Sequence, residues 1–338
     1  MSPKLSRRAL LAAAMFGALS PSVSARVNGL LRSVRVANDV LPAPVIRAVE
    51  GGNVSYVVHG RPGAPLILYF HGWGDDYRVV LPLEYPLLDA GFRLLVMHRP
   101  GYFGTSLEGN FDRRSADGAA RTAGALLKEI FGERWKVSVV GMSGGCPTAL
   151  AFASLYPRQT RRLVLQAGVS RPWTDERYVP TRFRDAYNTA YQKFGWAGDQ
   201  VSQVIFGSLV AIRESLQRKG EDVTAIVGAR LNEAREDPAF AAALNRIMRV
   251  EKQNSTGELN DARNIFLAKS DYCPWEAVKA PTLIIHDLED PLVPIVHANE
   301  AAQQIKRAKL RTYRLGGHLI YVGADARKMH RDRVHFLR

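Results

Sequence analysis

Short apolar runs alternate along the chain with longer stretches in which apolar residues recur every three or four positions. Residues 65–70 (PLILYF), 91–97 (GFRLLVM), 137–140 (VSVV), 162–166 (RLVLQ), 282–286 (TLIIH) and 310–315 (LRTYRL) are runs of the first kind. Runs of this length, bounded by glycine and polar residues, predict strands buried on both faces of a parallel sheet. Residues 115–131 and 296–305 carry helical periodicity, and a further helix closes the chain. Residues 45–58 (VIRAVEGGNVSYVV) read as two short strands around the Gly51-Gly52-Asn53 turn. Strands alternating with helices predict an α/β fold, a mostly parallel central sheet with helices on both faces.

From Arg171 to about Val278 the strand signal stops, over a distance far too long for a loop in a compact domain. Residues 200–219 and 237–250 carry helical periodicity, which predicts an inserted helical cap over 171–277. The core is then expected in two parts, 26–170 and 278–338. Residues 1–25 are set apart by Lys4, Arg7 and Arg8, an apolar run from Ala9 to Leu19, and small residues up to Ala25. That run is short for a bilayer span, so the segment reads as an export signal that leaves no stable membrane span after processing. Ser6-Arg7-Arg8-Ala9-Leu10-Leu11 is similar to a twin-arginine signal, which implies a periplasmic or secreted protein.

The 338 residues are 46% hydrophobic, enough for one large core. The net charge is +14; loss of residues 1–25 would leave 43 basic against 32 acidic residues, a net +11. The basic residues are scattered and not interleaved with aromatics in a run, which favours a solvated surface over a nucleic-acid partner. Two cysteines, Cys146 and Cys273, do not make a disulfide framework, and Cys146 is expected as a small buried residue.

The chemistry centres on residues 136–150 (KVSVVGMSGGCPTAL). A strand, a sharp turn with Ser143 at its apex and a helix follow one another. A serine held there needs small residues two positions before and after, which Gly141 and Gly145 provide. The Gly144 N–H then lies at a helix start, where positive potential favours an oxyanion. A serine nucleophile needs a base, and the base an orienting carboxylate. The last core strand leads to Gly316-Gly317-His318, with two glycines to let the imidazole swing towards Ser143. The strand before it leads to Asp287, Glu289 and Asp290.

Serine, acid and histidine in that order, each beyond a parallel strand, resembles the α/β-hydrolase superfamily, in its cap-bearing serine esterase and C–C hydrolase branch. The resemblance covers residues 53–170 and 279–321. His71-Gly72-Trp73 is similar to the family's oxyanion loop, implying that the Trp73 N–H joins that of Gly144. Asp290-Pro291-Leu292-Val293-Pro294 is similar to its Asp-x-x-Val-Pro motif, implying Asp290 as the acid, with Asp287 the alternative. Asp287 stands where the family has glycine, and is expected, like Glu289, to face solvent. Arg99-Pro100-Gly101-Tyr102 resembles a family segment from which the chain departs by His98 in place of aspartate and an inserted Phe103.

The other histidines read as structural residues: His59 and His98 at loop starts, His71 in the loop after the 65–70 run, His286 within a strand, and His297, His330 and His335 on helices, at the surface or in packing. No metal-ligand spacing, Walker loop or dinucleotide fingerprint occurs, so no metal and no cofactor are expected. The expected function is serine hydrolysis of a small-molecule, ester-like substrate through Ser143, His318 and Asp290. The alternatives are C–C bond hydrolysis or perhydrolysis with the same triad, or a silent ligand-binding relative.

Overall fold

Eight strands form one sheet in the order β1-β2-β4-β3-β5-β6-β7-β8. They are β1 (Val45–Val49), β2 (Gly52–His59), β3 (Leu66–Phe70), β4 (Arg93–Met97), β5 (Val137–Met142), β6 (Thr160–Gln166), β7 (Thr282–Asp287) and β8 (Ala308–Tyr313). The β1–β2 and β2–β4 pairs are antiparallel, and from β4 to β8 every pair is parallel. This computed structural model describes residues 35–36, 38–49, 52–109, 112–180, 184, 188, 239, 242–243, 255–315, 317–321 and 323–338.

The predicted apolar runs are the strands, and their alternation sorts side chains to the two faces. Leu68, Phe70, Leu95, Met97, Val139 and Leu165 pack on one face beneath α3 (Ala116–Phe131), α4 (Cys146–Leu155) and α6 (Val296–Gln304). Ile67, Tyr69, Leu94, Val96, Val140 and Ile285 pack on the other, beneath α1 (Tyr77–Leu83), α2 (Tyr85–Asp89) and α7 (Ala326–Leu337). The start of α3 is set by Ser115, whose hydroxyl accepts the Gly118 N–H as an N-cap. The run at 310–315 was displaced from its expected span: β8 is Ala308–Tyr313, an edge strand with half its residues exposed, so apolar content marks it poorly.

Of the expected cap, the stretches 200–219 and 237–250 lie outside the described residues apart from positions 239 and 242–243, as does the whole of 1–25. The two ends of 171–277 are described. Trp173 stacks on Phe266 at 4.6 Å and 8° between planes, and the Trp173 N–H donates to the Phe266 carbonyl at 2.6 Å. The returning segment contains α5 (Ser255–Asp261), which continues as a short π-helical turn, Ala262–Phe266. Both cysteines are buried and free, with their thiols pushed up to about 12 by burial. Among the described residues, no helix is long and apolar enough to cross a membrane and no group of His, Cys, Asp or Glu is arranged to hold a metal ion.

Candidate active site

β5 delivers Ser143 at the carboxyl end of the sheet. Ser143 has φ 51°, in the left-handed region, which a β-carbon makes costly and which turns the chain sharply into a single 3₁₀ turn, Ser143–Gly145, and then α4. Both flanking glycines are there for lack of space. A β-carbon on Gly141 would lie 2.9 Å from the Cys146 Cα, and one on Gly145 would lie 2.3 Å from the Phe70 carbonyl oxygen. The first amides of the 3₁₀ turn have no carbonyl within the turn to bond.

His318 lies beyond β8, in the loop that leads to α7, and Asp290 in the loop after β7. The Ser143 hydroxyl and His318 Nε2 are 2.9 Å apart, and His318 Nδ1 and Asp290 Oδ2 are 2.8 Å apart. An ionised carboxylate only accepts, so Nδ1 carries the proton and donates, and in the neutral ring Nε2 accepts from the serine O–H. The Asp290 side chain is wholly buried, and its other oxygen accepts the amides of Leu292 (2.8 Å) and Val293 (3.0 Å). Burial alone would raise this carboxyl, but the charge and hydrogen bond of His318, with His286 and the Val293 amide, outweigh it and hold it below the usual carboxylate range.

Asp287 is not the solvent-facing residue expected. It is 2% exposed, because β7 runs one residue further than its apolar run and carries it into the sheet. Its Oδ2 accepts the amides of Leu315 (2.8 Å) and Gly317 (3.0 Å), and its Oδ1 accepts that of Glu289 (2.9 Å). Asp287 thus ties the acid loop to the histidine loop. Gly317 supplies a left-handed φ of 66° at this bonded position; of the two glycines expected to loosen the loop, the described one is pinned. Glu289 is exposed.

The loop His71-Gly72-Trp73 follows β3. A β-carbon on Gly144 would lie 3.4 Å from the Trp73 nitrogen, and one on Gly72 would lie 3.5 Å from the Ser143 Cβ. The structure therefore brings Ser143, His318, Asp290, Gly144 and Trp73 to one place. The same position above Gly144 is 3.3 Å from the Phe266 ring, so the returning segment covers the site with an aromatic wall. Periodicity gives no sign of that role for Phe266, since its neighbours across space come from elsewhere in the chain.

Of the other histidines, His71, His98, His286 and His297 are fully buried. His297, expected on a helix surface or in packing, is packed: it accepts the Ser170 N–H at Nδ1 (3.2 Å), and its Nε2 lies 3.0 Å from the Tyr178 carbonyl. His286 Nε2 lies 2.9 Å from the Val293 carbonyl and 3.8 Å from Asp290, steadying the acid loop from below.

A serine at a strand–helix elbow, with a histidine and an acid beyond later strands, is the arrangement an α/β-hydrolase fold presents at the carboxyl end of its sheet. The sequence model of the alpha/beta hydrolase fold family matches residues 65–325, and the chain belongs to that family. It is 26% identical over 279 residues to an uncharacterized hydrolase of Bacillus subtilis, covering 82% of this chain and 92% of that protein. It is 25% identical over 289 residues to a poly(3-hydroxyalkanoate) depolymerase of Ectopseudomonas oleovorans, covering 83% and 89%. Among solved structures, an alpha/beta hydrolase fold protein from Nakamurella multipartita superposes with a TM-score of 0.65 at 23% identity, covering 87% of this chain and 99% of the other. The chain is an enzyme of the α/β-hydrolase superfamily with a small-molecule substrate.

Proposed function

We propose that the protein is a carboxylic ester hydrolase working through an acyl-enzyme on Ser143. The observation that carries the reading is the continuous relay from the Ser143 hydroxyl through His318 to Asp290, with the Trp73 and Gly144 nitrogens beside the serine. His318 takes the hydroxyl proton as the serine oxygen bonds to the ester carbonyl carbon. The carbonyl oxygen becomes an oxyanion beside the two N–H groups, each worth on the order of 3 kcal/mol of barrier. Collapse expels the alcohol, which receives the proton from His318. Water, deprotonated by the same imidazole, then releases the acid. The likeness to a protein named as a poly(3-hydroxyalkanoate) depolymerase, over 83% of this chain and 89% of that one, supports ester cleavage.

In this reading 171–277 is a cap that selects the substrate, and its described ends meet as the Trp173–Phe266 stack beside Gly144. The protein acts outside the cytoplasm. Expression in a compatible bacterium should yield protein beginning near Arg26 in the exported fraction, and Arg7→Lys with Arg8→Lys should retain it inside; intact protein in the cytosol of the parent strain would exclude export. The chemistry is tested by p-nitrophenyl esters of graded chain length, with a burst of nitrophenol and fluorophosphonate labelling at Ser143. Absence of turnover and of labelling would exclude it.

A further inference from the structure

The Arg99-Pro100-Gly101-Tyr102 segment has no part in the acyl transfer, yet Arg99 is among the largest fully buried side chains. Its guanidinium lies behind the oxyanion loop. Nε donates to the His71 carbonyl and Nη2 to the Gly72 carbonyl, each at 3.0 Å. The Arg99 amide donates to His71 Nε2 at 3.1 Å, so that ring nitrogen is the acceptor and Nδ1 carries the proton; Nδ1 donates to the same Gly72 carbonyl at 2.9 Å. Burial, Arg99 and His98 hold the imidazole well below its ordinary pKa, which keeps it in this neutral form.

Two side-chain donors, Arg99 Nη2 and His71 Nδ1, therefore hold the Gly72 carbonyl, which also accepts the Asp75 N–H across the turn at 3.4 Å. In a trans peptide the carbonyl and the next N–H point in opposite directions. With the Gly72 oxygen held towards Arg99, the Trp73 N–H is aimed the other way, towards Gly144 and the serine. A flip of this one peptide would aim a carbonyl at the oxyanion instead.

A buried guanidinium needs a counter-charge. It comes from the returning segment: Asp261, the last residue of α5, accepts from Nη1 at 2.5 Å and Nη2 at 2.7 Å, and from the Tyr102 hydroxyl at 2.6 Å. Asp261 keeps Arg99 charged, raising it above its ordinary value against the opposing effect of burial. α5 reaches this depth because Gly257 lies flat on Tyr102, where a β-carbon would be 2.3 Å from the ring, and Gly101 lies beneath Gly257, where one would be 2.8 Å from its Cα.

We infer that Arg99 and Asp261 are positioning residues that set the orientation of the Gly72–Trp73 peptide, so that seating of α5 on the Arg99–Tyr102 loop completes the oxyanion hole. The inference rests on the esterase reading, and its test separates the two. Asp261→Asn removes the counter-charge at constant shape. Arg99→Lys keeps an ion pair but loses the planar donors to both carbonyls. The readouts are kcat and KM on p-nitrophenyl acetate, affinity for an aryl trifluoromethyl ketone, whose serine adduct carries an oxyanion, and the melting temperature. Each variant should lose roughly 10- to 100-fold in kcat and weaken the ketone by a similar factor, with KM within about threefold. Arg99→Lys serves if Asp261→Asn does not fold. Variants that melt earlier but keep parental kcat and ketone affinity would overturn the inference and leave the esterase reading standing. A parent enzyme that neither turns over the ester nor binds the ketone would overturn both.

Discussion

Asp287 ends β7 and Asp290 lies in the loop just beyond it, and they hold different things: Asp290 bonds the His318 imidazole, whereas Asp287 bonds the backbone of the loop that carries it, through the Leu315 and Gly317 amides. The two acids therefore predict different losses. Asp290→Asn leaves an amide facing Nδ1 and should lower kcat about 10⁴-fold with little change in melting, by analogy with triads that lose their carboxylate. Asp287→Asn leaves one acceptor oxygen where three amides need both, so one donor is stranded. It should cost about 1–3 kcal/mol of stability and a far smaller loss of kcat. Denaturation and steady-state kinetics on both variants check this. A larger kcat loss at Asp287 would move the acid.

Ser143→Ala should abolish ester hydrolysis and fluorophosphonate labelling while the protein stays folded. The turn is held by Gly141 and Gly145 and by the bond from the Val169 N–H to the Ser143 carbonyl, none of which needs the hydroxyl. Circular dichroism and active-site labelling decide it; a label on another serine would remove Ser143 from the mechanism.

His98 and His297 are both fully buried, and burial brings each down to about 4 from 6.5. The unfolded chain binds these protons first, between about pH 6.5 and 4, so folding stability is full above that window and falls as the pH drops through it. Each histidine should account for about 3 kcal/mol of that loss. Urea unfolding at pH 7.5 and 4.5 measures it. His98→Asn should flatten the profile at its acid end, and an unchanged profile would show that His98 is charged in the fold.

Replacing residues 181–254 by a Gly/Ser linker keeps Trp173, Asp261 and Phe266 in place. Turnover of aryl acetate should persist, and the preference among acyl chain lengths should collapse. Melting is measured first, because the replacement uncovers apolar surface. An unchanged chain-length profile in a folded variant would place selection in the core loops.

Much of this was written in the chain itself. Apolar runs such as residues 65–70 and 282–286 define strands because a doubly covered sheet demands continuous hydrophobicity. Gly141 and Gly145 mark the elbow because the turn excludes a β-carbon, a local constraint that leaves a local trace. Three things had no such trace. The depth of Asp287 depends on how far β7 continues and on which amides Leu315 and Gly317 present to it, which only the β7–β8 pairing decides. The Arg99–Asp261 pair joins positions far apart in sequence, and nothing around either residue names its partner. The wall over Gly144 is made by Phe266 stacked on Trp173, two residues that lie far apart along the chain. Periodicity and turn chemistry record what a residue needs from its neighbours along the chain; burial of a charge and the aim of a peptide are settled by what the fold brings from elsewhere.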